Sequence, residues 1–174
     1  MQFTELTIPG AYKIALTLQE DERGFFARTF CQEEFGKRGL GTVVAQCSLS
    51  FNARRGTLRG MHYQRAPHAE AKVVRCIRGS IDDVIVDLRP ASPAYRRWCS
   101  LRLSAENRDS VSVPEGCAHG FLTLEDATEV LYQMSAAYDA DAAAGVRWDD
   151  PAFGIRWPFE PVVISQRDMQ FPLI

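Results

Sequence analysis

The chain has 174 residues, of which 46% are hydrophobic and 24% charged, and its formal net charge is −2. These values are typical of one globular domain with a hydrophobic core, and they argue against a nucleic-acid or anionic-membrane binder, which would need a basic surface. No apolar run is long enough to span a bilayer, and the N-terminal residues MQFTELTIPG lack the basic and apolar regions of a secretory signal.

Short runs of β-branched and aromatic residues, separated by Gly, Pro and polar clusters, recur along the chain. The first predicted element is a short helix over residues 31–39, which ends at a glycine. The most regular pattern is that of residues 72–89, where two β-branched runs flank Arg78-Gly79-Ser80 and predict a β-hairpin. Further strands are predicted over residues 42–50, 98–103, 110–113, 120–124 and 128–134.

Many short strands and few helices predict an all-β fold rather than alternating βαβ units. The architecture that fits best is a double-stranded β-helix, the jelly roll of the cupins, with a few short helices. We expect residues 1–174 to form a single domain of this kind. Such a barrel has room for a small ligand at its mouth.

The five cysteines are odd in number and widely spaced, and no C-x-x-C pair occurs. This pattern indicates neither a disulfide framework nor a zinc ribbon. We therefore expect reduced thiols and a cytoplasmic protein.

Residues 54–78 are strongly basic, with seven Lys or Arg residues against the single acidic residue Glu70. Taken one at a time, such residues are typical of a solvated strand edge. As a group they also fit a concave site for an anion such as a diphosphate. Composition alone leaves both interpretations open.

The chain has three histidines, His62, His68 and His119. A single histidine near an apolar run is usually a core residue, but His62 and His119 lie in glycine-containing motifs, GMHYQ and VPEGCAHGF, which favours a pocket. A metal-binding cupin usually has two histidines one residue apart on a strand, whereas Gln64 follows His62 at that spacing and His68 lies in a predicted loop. We expect no metal and a free imidazole that carries protons.

Several motifs follow one another along the chain: DERGFF from Asp21, GTLRGMHYQ, E-x-K-x-V-R from Glu70, RGSIDDVIVDLRPASPAY, VPEGCAHGF, Tyr132, Tyr138, WDDPAFGIRWP and SQRD ending at Asp168. In this order and spacing they closely resemble the dTDP-4-dehydrorhamnose 3,5-epimerase family. The resemblance covers nearly the whole chain, and no single motif would be specific enough alone.

The resemblance implies epimerisation of a nucleotide-linked 4-keto-6-deoxyhexose at C3 and C5, with no metal or organic cofactor. Both carbons flank the ketone, so removal of either proton gives an enolate with negative charge on O4. The reaction needs a base, a partner for the oxyanion, a proton donor on the opposite face and an anchor for the diphosphate.

Four residues match the catalytic positions of the family. His62 matches the base, Asp168 the carboxylate that orients it, Lys72 the cation beside O4, and Tyr132 the proton donor on the far side of the sugar. The matching substrate-binding positions are Arg23 and Arg59 for the diphosphate, His119 near the sugar or phosphate, Phe26 and Tyr138 beside the nucleobase or sugar, and Gln46 in the family's Q-x-N-x-S segment.

Two positions depart from the family pattern. Ser48 replaces the usual Asn of the Q-x-N-x-S segment, and Arg28 replaces a common Glu. The nucleotide and the sugar are therefore less well determined than the reaction class. A C3-only epimerase, a 3,4-ketoisomerase, a metal-dependent cupin and a non-catalytic nucleotide-sugar binder are the alternatives.

The resemblance also implies a homodimer. In it, the N-terminal segment, about residues 1–30, crosses into the partner's sheet, so that Arg23 and Phe26 complete the neighbouring site.

The spacing of Arg59 and His62 poses a geometric question. An offset of three places two residues on opposite faces of a regular strand, although both are assigned to one pocket. Either a bulge at Gly60 turns one side chain around, or Arg59 reaches the pocket from the rim of the barrel.

Overall fold

A computed structural model describes residues 1–41 and 43–174, and nearly all of the regular structure in them is β-strand. The strands are β1 Gln2–Glu5, β2 Tyr12–Ala15, β3 Gln19–Asp21, β4 Gly24–Phe26, β5 Gln46–Asn52, β6 Thr57–Gln64, β7 Lys72–Arg78, β8 Ser80–Asp87, β9 Trp98–Ser104, β10 Ser110–Val113, β11 Cys117–Thr123, β12 Thr128–Met134, β13 Ala143–Gly145 and β14 Val163–Ile164, and the helices are α1 Gln32–Gly36 and α2 Gln166–Met169. Over these described ranges, neither helix is long or apolar enough to cross a membrane.

The strands form two facing antiparallel sheets and one small ribbon. The first sheet has the order β1-β2-β10-β7-β12-β5, and the second has the order β13-β6-β11-β8-β9, with β14 parallel to β6. Within the part of the chain that the structure describes, strands β3 and β4 pair only with each other. Neighbours in each sheet are mostly distant in sequence, so the chain crosses repeatedly between the sheets, as in a jelly roll. The predicted all-β jelly roll is confirmed.

The predicted hairpin over residues 72–89 is wrong in its pairing, although both of its strands exist. β7 lies in the first sheet and β8 in the second, and Gly79 forms the corner between them. Ile85 faces the core between the sheets, whereas Val84 and Val86 face a second cluster outside the second sheet. Both faces of β8 are therefore covered by apolar clusters, and both of its edges are paired within the second sheet, with β9 and β11.

Most other predicted strands lie close to the observed ones. The predictions for 98–103, 110–113 and 128–134 are confirmed within one residue, while the strand predicted over 120–124 begins earlier, at Cys117. The strand predicted over 42–50 runs from Gln46 to Asn52, and Thr42 lies outside the described residues. The helix predicted over 31–39 is shorter, because only Gln32–Gly36 is helical.

The hydrophobic core fills only part of the space between the sheets. Val74, Val130 and Phe121 are buried in it, and Tyr132 packs against its edge. Tyr132 pairs with Val74, and the next inward positions of the first sheet are the polar or mixed residues Lys72, Met134 and Gln46. One end of the jelly roll is therefore polar on its inner face, and that end holds the predicted site.

Candidate active site

A bulge in β6 brings Arg59 and His62 onto the same face of the second sheet. His62 pairs with His119, and Arg59 pairs with Phe121, so β6 advances three residues where β11 advances two. The extra residue restores a common direction to the two side chains. Of the two arrangements considered from the sequence, the bulge is the one observed.

Glycines at two facing positions make this bulge possible. A Cβ atom at Gly60 would lie 2.7 Å from the Cα of Gly120, so the two backbones meet without side chains between them. Gly60 also has a φ of +152°, which disfavours other residues. Met61, next to it, turns outward into the cluster outside the second sheet.

His62 contacts a buried carboxylate from the C-terminal part of the chain. The distance from Nε2 of His62 to Oδ1 of Asp168 is 2.7 Å, and the backbone N–H of Gly60 donates to Oδ2 of Asp168 at 3.2 Å. The Asp168 side chain is 5% exposed and that of His62 is 38% exposed. The imidazole thus has one nitrogen fixed by a buried carboxylate while its ring borders solvent.

Local structure fixes Asp168 in this position. β14 pairs with the start of β6, and Ser165 caps α2 by accepting a hydrogen bond from the backbone N–H of Asp168 at 3.1 Å. Burial alone would raise the pKa of Asp168, but the hydrogen bonds from His62 and Gly60 outweigh it and hold the pKa below the usual range of a carboxyl group. Asp168 is therefore ionised throughout the neutral range.

Arg59 is held by the first sheet and faces the same cleft as His62. Its Nε donates to Oδ1 of Asn52 at 2.7 Å, and Nδ2 of Asn52 donates to the carbonyl of Thr128 at 3.2 Å. The cleft has a volume of about 370 Å³ and is also lined by Arg167 and Asp168. Two guanidinium groups therefore border the cleft beside the imidazole.

Lys72 lies on the first sheet, close to the strand that carries His62. Its Nζ is 2.9 Å from Oε1 of Glu70 and donates to the carbonyl of His62 at 3.5 Å. The side chains of Lys72 and Glu70 are both largely buried. The positive charge of Lys72 interacts strongly with nearby charges, because little water screens it.

Tyr132 also comes from the first sheet, on the strand next to Lys72. Its hydroxyl is 3.4 Å from Oγ of Ser50, and its ring packs edge-on against His119 with centroids 6.4 Å apart. Burial raises the pKa of Tyr132 well above that of a free phenol. The group is therefore a protonated donor at any ordinary working pH.

His119 forms a second imidazole–carboxylate pair, with Asp83. Nε2 of His119 is 2.8 Å from Oδ2 of Asp83, and both side chains are buried. Burial raises the pKa of Asp83 despite the opposing effect of His119. Asp83 is absent from the residues predicted above. The sequence signal that could have identified it is its position, because a carboxylate that points inward from a strand with two apolar faces needs a polar partner.

Gln46 and Tyr138 lie together at the rim of the barrel. Oε1 of Gln46 accepts a hydrogen bond from the backbone N–H of Tyr138 at 3.0 Å, and Nε2 of Gln46 is 3.5 Å from Oγ of Ser48. Tyr138 is 59% exposed. Ser48 pairs with Tyr132, so this departure from the family pattern lies on a strand position next to the predicted proton donor.

Arg23 and Phe26 are not brought to this cleft within one chain. They lie on the β3–β4 ribbon, where Arg23 forms an ion pair with Asp21 and Phe26 is 72% exposed. Over the described residues, no hydrogen bond, ion pair or ring contact joins either residue to the cleft. Arg28 lies outside the cleft as well and forms an ion pair with Glu34 at 3.4 Å.

The side-chain amide of Gln64 forms hydrogen bonds with backbone groups rather than with a ligand. Its Nε2 donates to the carbonyl groups of His68 and Ala137, and its Oε1 accepts from the backbone N–H of Asp139. Over residues 1–41 and 43–174, no group of three or more His, Cys, Asp or Glu side chains is arranged to hold a metal ion. The two imidazoles of the site are instead each paired with a separate carboxylate.

The model of the dTDP-4-dehydrorhamnose 3,5-epimerase family matches residues 5–174. A dTDP-4-dehydrorhamnose 3,5-epimerase of Methanothermobacter thermautotrophicus is 43% identical over 170 residues, which cover 96% of this chain and 91% of the relative. The crystal structure of the Bacillus anthracis epimerase with TDP and PPi bound is 37% identical, has a TM-score of 0.94 and is matched over 99% of both chains.

A 3'-monoepimerase from Streptomyces bikiniensis, solved in complex with dTDP-quinovose, is also similar. It is 35% identical, with a TM-score of 0.87, and the match covers 97% of this chain and 85% of the other. On the full-length family match and these identities, the chain belongs to the dTDP-4-dehydrorhamnose 3,5-epimerase family.

Proposed function

We propose that this protein epimerises the 4-keto-6-deoxyhexose of a dTDP-sugar at C3 and C5, with His62 as the base. The observation that carries the proposal is the 2.7 Å contact between His62 and Asp168 at the edge of a cleft lined by Arg59. Lys72 and Tyr132 lie on the opposite sheet. Groups from two facing sheets can act on two faces of a sugar held between them.

In the first step, His62 removes a proton from the carbon next to the ketone. Because Asp168 engages Nε2, Nδ1 is the nitrogen that accepts this proton. The carboxylate fixes the orientation of the ring and stabilises the imidazolium ion that forms. Asp168 can do this at any neutral pH, since its lowered pKa keeps it ionised.

Lys72 stabilises the enolate by placing a positive charge near O4. A preorganised charge of this kind contributes about 3 kcal/mol to the transition state, as an oxyanion-hole donor does. Glu70 lies 2.9 Å from the ammonium group and keeps it in place in a region with little water. Tyr132 then delivers a proton to the carbon from the other side of the ring, which inverts the centre.

Arg59 and Arg167 provide the anchor for the diphosphate. A guanidinium group binds phosphate oxygens through two parallel hydrogen bonds, and the hydrogen bond to Asn52 leaves the far side of the Arg59 guanidinium available. Arg167 is a cleft residue that the sequence predictions did not include.

Arg59→Ala is expected to raise KM about 10- to 100-fold with a smaller change in kcat, because the lost contacts are made to the diphosphate rather than to the reacting carbons. Steady-state kinetics measure both constants. Arg78→Ala is the matched control, since Arg78 belongs to the same basic segment and its side chain is 64% exposed. A loss confined to kcat in Arg59→Ala would assign this arginine to the chemical step instead.

The experiment that tests the proposed function is incubation with dTDP-4-keto-6-deoxyglucose in deuterated buffer, followed by NMR of the product. We expect deuterium at both C3 and C5 and inversion of both centres. Deuterium and inversion at C3 alone would identify a C3 epimerase, the activity of the similar Streptomyces bikiniensis protein. Binding without exchange would identify a nucleotide-sugar binder and refute the proposal.

We further propose that the active form is a homodimer in which Arg23 and Phe26 reach the partner's cleft. Their exposed ribbon supports this arrangement, because Phe26 is 72% exposed and the side chain of Arg23 is 84% exposed. The outer face of the first sheet also exposes Leu49, Phe51 and Ile77. A second copy packed on this face would bury all three side chains.

A random one-to-one mixture of Arg23→Ala and His62→Asn subunits is expected to regain about one quarter of the parental activity. Half of the dimers in a random one-to-one mixture contain both subunits, and each has one site with an intact His62 and the partner's intact arginine. Activity of the co-expressed mixture is compared with that of each variant alone. If Arg23 serves its own chain, the mixture has only the average of the two single variants.

The cytoplasmic location expected from the sequence stays a prediction. So does the absence of a cofactor, which stoichiometric metal in the purified active protein would contradict.

A further inference from the structure

Phe171, close to the C-terminal end, lies against the imidazole of His62. The two ring centroids are 5.7 Å apart and the planes are inclined by 71°, so one ring presents its edge to the other. Such edge-to-face contacts are favourable and directional. Phe171 thus contacts the ring of the proposed base, whereas Asp168 contacts only its Nε2.

The Phe171 ring rests on the bare backbone of Gly145. A Cβ atom at this position would overlap Cε2 and Cζ of the Phe171 ring. Gly145 is not in the left-handed region of φ, so its backbone would accept alanine and the close contact with Phe171 is what requires glycine. Gly145 is also the register partner of His62 on the neighbouring strand β13.

The chain is fixed by hydrogen bonds on both sides of Phe171. Three residues before it, Asp168 is held by His62 and by the Ser165 cap. Three residues after it, the backbone N–H of Ile174 donates to Oδ2 of Asp150 at 2.7 Å. The ring is therefore fixed between the segment that carries the carboxylate and the strand that pairs with the imidazole.

We propose that Phe171, seated on Gly145, is a positioning residue that holds the imidazole plane of His62 in line with Asp168 for proton transfer. The proposal rests on the proposed role of His62 as the base. Without the ring, the imidazole would keep its bond to Asp168 but gain room to tilt about it. A displacement of about 1 Å at a reacting group can cost up to about 100-fold in rate.

The variants Phe171→Ala and Gly145→Ala test this in two ways. Each is expected to lower kcat about 10-fold, because the ring orients the base. KM is expected to change less than kcat does, by a few-fold, because the guanidinium of Arg167, assigned above to the diphosphate, lies 5.8 Å over the Phe171 ring. Gly145→Ala acts by displacing the ring, so the double variant is expected to be no slower than Phe171→Ala alone. Phe171→Leu retains an apolar contact with Gly145, serves if Phe171→Ala folds poorly, and is expected to lower kcat as well.

Leu173→Ala is the matched control, because Leu173 lies two residues further along the same segment and is exposed. We expect parental kcat from it. Equal losses in Leu173→Ala and Phe171→Ala would show a general need for an ordered C-terminal segment and would overturn the proposal, as would additive losses from Gly145→Ala and Phe171→Ala.

A second readout does not depend on activity. The chain has only three histidines. The imidazole nitrogen resonances of His62 can therefore be assigned in NMR spectra as those that disappear in His62→Asn. The His62 signal is expected to shift or broaden in Phe171→Ala and Gly145→Ala, while those of His68 and His119 stay in place. An unchanged His62 signal would overturn the inference about Phe171 and leave the proposed epimerase untouched. Failure of the parental protein to exchange deuterium, with the His62 signal still shifted in the variants, would instead refute the epimerase and with it the role in proton transfer, and would leave only the orientation of the ring by Phe171.

Discussion

His62→Asn is expected to lower the rate of epimerisation by about 10²- to 10⁴-fold, the range that general acid–base catalysis contributes. Asparagine retains polar atoms that can meet the carboxylate of Asp168, but it cannot accept a proton from carbon. Wash-in of solvent deuterium at C3 and C5 is expected to fall with the epimerisation rate, because both begin with the same proton removal. NMR of the sugar in deuterated buffer measures both quantities in one sample.

The control for this variant is His68→Asn. His68 is more than half exposed and lies 3.6 Å from Asp139, and it does not line the cleft around His62. We expect it to keep the parental rate. Deuterium exchange at the parental rate in His62→Asn would mean that another group is the base, and His119, whose imidazole is paired with Asp83, would be the next residue to test.

The jelly roll could be predicted because its strands carry local signals. Runs such as Ser80–Asp87 and Thr128–Met134 are short and rich in β-branched or aromatic residues. Their partners could not be predicted in the same way. The corner at Gly79 resembles a hairpin turn in sequence, and the difference arises because both faces of β8 are apolar and find separate cores.

The candidate site shows the same division. His62 and Asp168 are 106 residues apart and were associated by resemblance, since no local pattern connects a histidine in a strand with a carboxylate near the C-terminus. The bulge that aligns Arg59 with His62 could be anticipated from Gly60, but only the register with β11 distinguishes it from a residue at the rim. Asn52 holds Arg59, and Asp83 holds His119, through side-chain contacts that form only when the chain folds.

Tyr132→Phe is expected to separate proton removal from inversion. The base remains, so deuterium still enters the substrate, but the opposite face lacks its donor and the epimerised product forms about 100-fold or more slowly. Protons return from the face of His62, which regenerates the original configuration. The recovered substrate is therefore expected to be labelled and not inverted, a combination that His62→Asn does not give.

The pH dependence supplies a second check on Tyr132. Burial raises the pKa of its phenol, so the donor stays protonated as pH rises, and its contribution would be lost only when pH passes that raised pKa. We therefore expect no fall in the epimerisation rate from ionisation of Tyr132 up to about pH 10, the ordinary pKa of a tyrosine.

The control for Tyr132→Phe is Tyr63→Phe, which removes a hydroxyl elsewhere. Tyr63 lies on the same strand as His62 but packs in the cluster outside the second sheet. If Tyr132→Phe lost deuterium exchange and inversion equally, Tyr132 would take part in forming the enolate, and the proton for the opposite face would have to come from another group.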